Sequence, residues 1–161
     1  MAGYGTDGDM QSYWTAAGYT FANDAPFASL RQQGSVYVDG TYGMRFPGQP
    51  AGGVEQERAW PRTGASVYGS ALASDAIPTR VVQASYEAAY LELTKPGSLS
   101  ASIDPTKRVK RQKVEGIERE FFEPGTNPDV FAPNAPVSSL IEGILLPLIG
   151  PAVPLPAILV V

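Results

Sequence analysis

Glycine and proline decide where this chain can be regular. Seventeen glycines and fifteen prolines punctuate 161 residues, about a fifth of the chain against roughly 12% in average proteins. The longest stretch free of both, residues 79–95, lies between Pro78 and Pro96-Gly97. Val81, Val82, Ala84, Ala88, Ala89, Leu91 and Leu93 place apolar groups along it, several at three- and four-residue steps. This pattern predicts the main helix over about Pro78–Lys95, with Asp75 and Pro78 marking its start.

Three further helices are expected. Met10–Gly18 carries Asp9 as an N-cap oxygen and Gly18 as a stop. A second run opens at Asp24 with Pro26 in its first turn and continues through Phe27, Leu30, Tyr37 and Val38 to about Tyr42. Gly34 inside it costs about 1 kcal/mol relative to Ala. A last short helix, capped by Ser138 or Ser139, runs through Ile141, Ile144 and Leu145 and is expected to end at Pro147. Residues 45–74, with PGQPAGG at Pro47–Gly53, have no helical period and read as a long loop packing on a neighbour. Met1–Met10 lacks the basic start and apolar run of a secretory signal, and residues 1–9 are expected to form a flexible arm.

The run VKRQKVEGIEREFF, Val109–Phe122, predicts a β-hairpin over about 108–123. With Glu115-Gly116 as a two-residue turn, Val114 faces Ile117, Lys113 faces Glu118, Arg111 faces Glu120, Val109 faces Phe122 and Arg108 faces Glu123. Each of the three opposite-charge pairs adds about 0.2–1 kcal/mol, and a register slip loses all of them. The same segment packs Lys107, Arg108, Lys110, Arg111 and Lys113 into seven residues. Such a cluster can track a phosphate backbone, with Lys107 and Lys110 facing DNA. Alternatively Glu118, Glu120 and Glu123 neutralise three of the five across the hairpin.

Composition excludes much chemistry. The chain has no cysteine and no histidine, which removes disulfides, thiolate nucleophiles, Cys/His zinc sites and any Ser-His or Cys-His couple. The GYGTDG start has neither a following strand nor a Lys-Ser/Thr pair, so it is neither a dinucleotide fingerprint nor a P-loop. Asp7 and Asp9 do not open a twelve-residue calcium loop. Gly64-Ala65-Ser66 lacks the second glycine of a nucleophile elbow. Glu118 and Glu120 share a strand face but oppose Lys113 and Arg111, which makes them ion pairs and not an acid/base couple. No enzyme, no cofactor and no metal is expected. A net charge of −4 also argues against indiscriminate nucleic-acid binding.

The segment Pro147–Val161 is the strongest functional signal. It holds Leu148, Ile149, Val153, Leu155, Ile158, Leu159, Val160 and Val161, and no charge falls between Gly143 and Val161. Pro147, Pro151, Pro154 and Pro156 break any membrane-spanning helix, and no Lys or Arg flanks the run. Burying all eight aliphatics is worth about 12–24 kcal/mol, against about 15–30 kcal/mol for ordering the backbone. A tail that breaks even alone suits a groove on a partner, repeated over linked copies. Docking on its own domain is the alternative.

Ala59-Trp60-Pro61-Arg62-Thr63-Gly64, Ser74-Asp75-Ala76-Ile77-Pro78 before an alanine-rich helix, and Val109-Lys110-Arg111-Gln112-Lys113-Val114 occur in that order. With Ser12-Tyr13 and Asp39-Gly40-Thr41-Tyr42, they resemble tailed-phage proteins often labelled DnaT-like single-stranded-DNA-binding, over roughly residues 10–150. The resemblance implies a small helical head-to-tail adaptor, assembled in the host cytoplasm and placed in the neck of the virion. Its copies would form a ring, typically of twelve, beneath the portal protein and above a tail or stopper protein. Double-stranded DNA would pass through the ring without sequence-specific contact, and the C-terminal segment would clasp the portal.

In that setting Trp60 is either a subunit-interface anchor or a core residue packed against the main helix. Arg62 either pairs with a neighbour's carboxylate or caps a loop. Arg111, Lys113, Glu118 and Glu120 join them as interface candidates. The expected architecture is a mostly α bundle over 10–146 with one β-hairpin, long Gly/Pro-rich loops and an extended tail from 147. A replication-type single-stranded-DNA binder is the competing function, and a membrane-active lysis protein a third.

Overall fold

The computed structural model describes residues 2–100, 111–114, 117–120 and 138–149. It is mostly helical: α1 spans Asp7–Ala16, α2 Phe27–Tyr42, α3 Thr79–Thr94 and α4 Ser139–Ile149. The most extensive interface joins α2 and α3, and α4 packs on α3.

The longest uninterrupted stretch does become the main helix, within a residue of the expected ends. Val81, Ala84, Ala88 and Ala89 are buried along it, and small side chains let α2 approach closely. Gly34 of α2 sits at the closest point. A Cβ there would fall onto the Ser85 carbonyl and lie 2.8 Å from Ala89 N. The propensity cost of glycine is thus offset by a helix contact that no larger residue permits.

Helix α1 starts three residues earlier than expected, because Thr6 and not Asp9 is the cap. The Thr6 hydroxyl accepts from Asp9 N at 3.1 Å and donates to the Asp9 carboxylate at 2.7 Å. Trp14 anchors α1, fully buried, with Nε1 donating to the Tyr86 carbonyl at 3.0 Å. Phe21 and Tyr90 meet its ring edge-on.

Helix α4 overturns another expectation. Pro147 does not stop it; the helix continues to Ile149 with Pro147 inside its last turn. Ile141, Leu145, Leu148 and Ile149 are all buried in the main core beside Val81, Ala84 and Ala88. Proline removes one hydrogen bond here, and the carbonyl that its ring would meet belongs to Gly143. Burying two large aliphatics, at about 1.5–3 kcal/mol each, outweighs that loss.

Between α2 and α3, residues 43–78 form an irregular excursion carrying two minimal antiparallel ladders. In the first, β1 (Gln49–Pro50) pairs with β2 (Arg62–Thr63); in the second, β3 (Ser66–Val67) pairs with β4 (Ser70–Ala71). This loop packs on its own body through Phe46, Trp60 and Ala65, which are buried in the main core. The expected hairpin is β5 (Arg111–Val114) and β6 (Ile117–Glu120). Its register pairs Arg111 with Glu120, Lys113 with Glu118 and Val114 with Ile117, as the charge pattern requires. Val109, Phe122, Arg108 and Glu123 lie outside the described residues.

Candidate functional site

The first residues, expected as a free arm, are threaded into the body. Tyr4 is buried, its N donating to Ser35 Oγ at 2.8 Å and its hydroxyl donating to Asp39 Oδ1 at 2.5 Å. The same hydroxyl accepts from Trp60 N at 3.1 Å, and Arg58 reaches Asp39 Oδ2 at 3.3 Å and the Ala2 carbonyl at 3.0 Å. The N-terminal segment, α2 and the excursion therefore meet at one carboxylate. Burial raises the Asp39 carboxyl above its usual 3.8, while the Tyr4 hydroxyl, Ala59 backbone and Arg58 oppose that rise. Burial also pushes the Tyr4 phenol upward, so it remains a donor. Arg31 secures the segment before α1, binding Asp7 at 2.7 Å and the Gly3 and Gly5 carbonyls.

Both AWPRTG candidates lie inside the subunit. Trp60 is 1% exposed, edge-on to Phe46, in the same cluster as Val81, Ala84 and Ala88 of α3. The core alternative holds for it, because a buried indole presents no surface to a second copy. Arg62 is equally withdrawn. Its guanidinium donates to the carbonyls of Pro47 at 2.8 Å, Gly48 at 2.6 Å, Ala59 at 3.2 Å and Phe46 at 3.3 Å. It caps the loop as a polar centre, replacing the backbone partners that an irregular segment lacks. Its pairing with a neighbour's carboxylate gives way to this role.

The predicted apolar clasp divides at Ile149. Leu148 and Ile149 belong to α4 and its core. Docking on the subunit itself, the alternative to portal contact, holds for these two. Val153, Leu155, Ile158, Leu159, Val160 and Val161 lie outside the described residues, as do Lys107 and Lys110. Of Arg111, Lys113, Glu118 and Glu120, the backbone pairing is described, and it sets each cation opposite a carboxylate.

Much of the body's charge is engaged within it. Besides Arg31, Arg58 and Arg62, Arg45 binds Glu142 of α4 at 3.0 Å and Arg80 donates to the Ile144 carbonyl at 3.2 Å. Glu87, buried on α3, accepts from Tyr13 at 2.7 Å and Tyr19 at 3.0 Å. Burial, followed by the bond to Glu87, raises both phenols. Among the described residues no group of three acidic, His or Cys side chains could hold a metal, and no helix is long and apolar enough to cross a membrane.

Two features escaped the sequence. One is an open groove of about 420 Å³ beside α2, lined by Gln32, Gln33, Val36, Tyr37, Glu92 and Leu99 among others. The other is the β3–β4 turn. Tyr68 and Gly69 both have positive φ, 51° and 79°, and Tyr68 is 84% exposed. A Val-Tyr-Gly-Ser run flanked by Gly64 is the signal that would have found this turn, although Asn or Asp is the usual first residue.

A family model described as "Putative DnaT-like ssDNA binding protein" matches residues 3–158. No curated protein and no solved structure matches the chain. The match spans the clasped N-terminus, the AWPRTG loop, all four helices and the charged hairpin, and the chain belongs to this DnaT-like family.

Proposed function

We propose that this chain is a non-catalytic assembly protein, the head-to-tail adaptor of a tailed bacteriophage. Its copies form a ring between portal and tail around the DNA channel. The carrying observation is how the body disposes of its polar and aromatic groups. All five arginines with described side chains bind acceptors of the same chain. Both tryptophans are buried, and Tyr68 is the only exposed aromatic among the described residues. A single-strand binder needs a basic groove with stacking rings, and this body offers little of either. Beyond Ile149 the sequence is apolar and charge-free, a composition suited to a groove on another protein.

The family description speaks for a second reading, single-stranded-DNA binding, and says nothing of a virion. The six cations from Lys107 to Arg119 are the groups that such binding would use.

One pair of experiments separates the readings. The purified chain is co-sedimented with its portal, full length against a truncation after Gly150, which keeps Leu148 and Ile149 in their core. Full length pelleting in stoichiometric amounts while the truncation stays in solution supports the adaptor and its clasp. If neither form pellets, and fluorescence anisotropy shows tight binding to a labelled oligonucleotide that collapses with salt, the adaptor reading is wrong.

A further inference from the structure

We propose that residues 150–161 dock back on the outer face of α4 in the same chain, an intramolecular contact that covers the apolar run until a partner groove competes for it. The face itself is plain. Leu140 and Leu146 are 53% and 48% exposed, and Ser139 and Gly143 are exposed with them. At about 100° per residue, these four positions and Pro147 form one strip along the helix, opposite buried Ile141, Leu145 and Leu148. The strip carries no charge. Glu142 at its edge is held by Arg45 at 3.0 Å, and Arg80 is held by the Ile144 carbonyl. Gly143 lies between the two leucines, and a Cβ there would meet nothing within 4 Å. Alanine would favour the helix and fits the subunit, so glycine here shapes only the outer surface, as a notch between two leucines.

Tether, length and chemistry select the occupant. The segment starts where α4 ends, and Leu148 and Ile149, the preceding members of the same aliphatic run, already pack on the subunit. Gly150-Pro151 is a dipeptide of the chain-reversing kind. Twelve residues in extended form reach about 40 Å. The eleven residues of α4 rise only about 16 Å, so a returning chain can cover the whole strip. Pro151, Pro154 and Pro156 disfavour a helix and favour an extended segment, whose aliphatic side chains match an uncharged face. With no charge on either side to steer a partner, proximity decides. A tether this short gives an effective concentration in the millimolar range, above that of a second copy in dilute solution.

The contact goes beyond the adaptor reading and does not need it. It concerns the free subunit, from which any partner that takes the segment must first displace it.

The full chain contains no cysteine, so introduced thiols report cleanly. Gly143→Cys is combined with Leu155→Cys in the full chain under mild oxidation at high dilution, and the disulfide is timed by mass spectrometry. In the control pair Ala16→Cys replaces Gly143→Cys, since Ala16 is exposed on α1, whose buried residues belong to the other core cluster. The expected result is a disulfide within one chain, forming about tenfold faster than in the control. Equal rates overturn the proposal, and so does a product linked mainly between two chains, which assigns the face to a second copy. Adding Leu140→Gln and Leu146→Gln, both at exposed positions, should bring the rate down to that of the control. An unchanged rate overturns the proposal as well. Equal rates with portal sedimentation that depends on the segment remove this contact and leave the adaptor reading standing. Fast closure in a chain that binds no portal does the reverse.

Discussion

The α2–α3 pair and the excursion that joins its two helices occupy the same core by different physics. The helices satisfy their own backbones, so their contact is a matter of shape, with Gly34 against Ser85 and Ala89 and small residues along α3. The excursion has two-residue ladders and short turns, and several of its carbonyls are satisfied by side chains. Arg62 serves four carbonyls, and Tyr4, Asp39 and Arg58 tie the middle of the excursion to the N-terminus and α2. A periodic segment therefore depends on volume, an aperiodic one on a few buried polar groups.

This contrast can be broken first at Gly34. Gly34→Val drives its Cβ into backbone that cannot yield, and it should cost about 4 kcal/mol, read as a large fall in Tm. The loss should be global, with all helices melting together.

Arg62→Met keeps the volume and removes the donors, leaving carbonyls unpaired. The expected loss is about 3 kcal/mol, and its signature is local: hydrogen exchange should accelerate over 43–78 while α2 and α3 amides stay protected. Arg62→Lys should recover only part, because an ammonium lacks the planar fork. Equal exchange throughout the molecule would erase the distinction between the two regions.

Tyr4→Phe removes the hydroxyl shared by Asp39 and Trp60 N and should cost about 1–2 kcal/mol. Asp39 adds a pH signature. Its carboxyl is raised above 3.8 in the folded chain, so just above pH 3.8 the native state binds the proton more strongly than the unfolded state. The contribution of this group to stability thus falls as pH rises through that window and levels off above the native pKa. Asp39→Asn should remove this slope, measured as the difference between the two proteins' pH–stability curves.

The smallest effect belongs to the hairpin. Lys113→Glu places like charges opposite each other at Glu118 and should cost about 0.5 kcal/mol, recovered when Glu118→Lys is added. A double-mutant cycle measures it.

Proline and glycine placement with apolar spacing located α2, α3 and α4, and cross-strand charge located the hairpin register from Arg111–Glu120 to Val114–Ile117. These are local signals, carried by residues within a few positions of each other. Apart from the Thr6 cap of α1 and the β3–β4 turn, the misreadings are long-range. Tyr4 reads as part of an arm until Ser35 and Asp39, 31 and 35 residues away, receive it. Pro147 reads as a stop until the core beneath Leu148 and Ile149 offsets the missing hydrogen bond. Trp60 and Arg62 were legible as important within AWPRTG, yet both choices between interior and interface were made by the packing around them. The sequence by itself determined the helices, their order and the charge register, because backbone hydrogen bonding and side-chain period are local. Only the tertiary structure decided which apolar and charged groups remain available to a partner, because availability depends on what the rest of the chain covers.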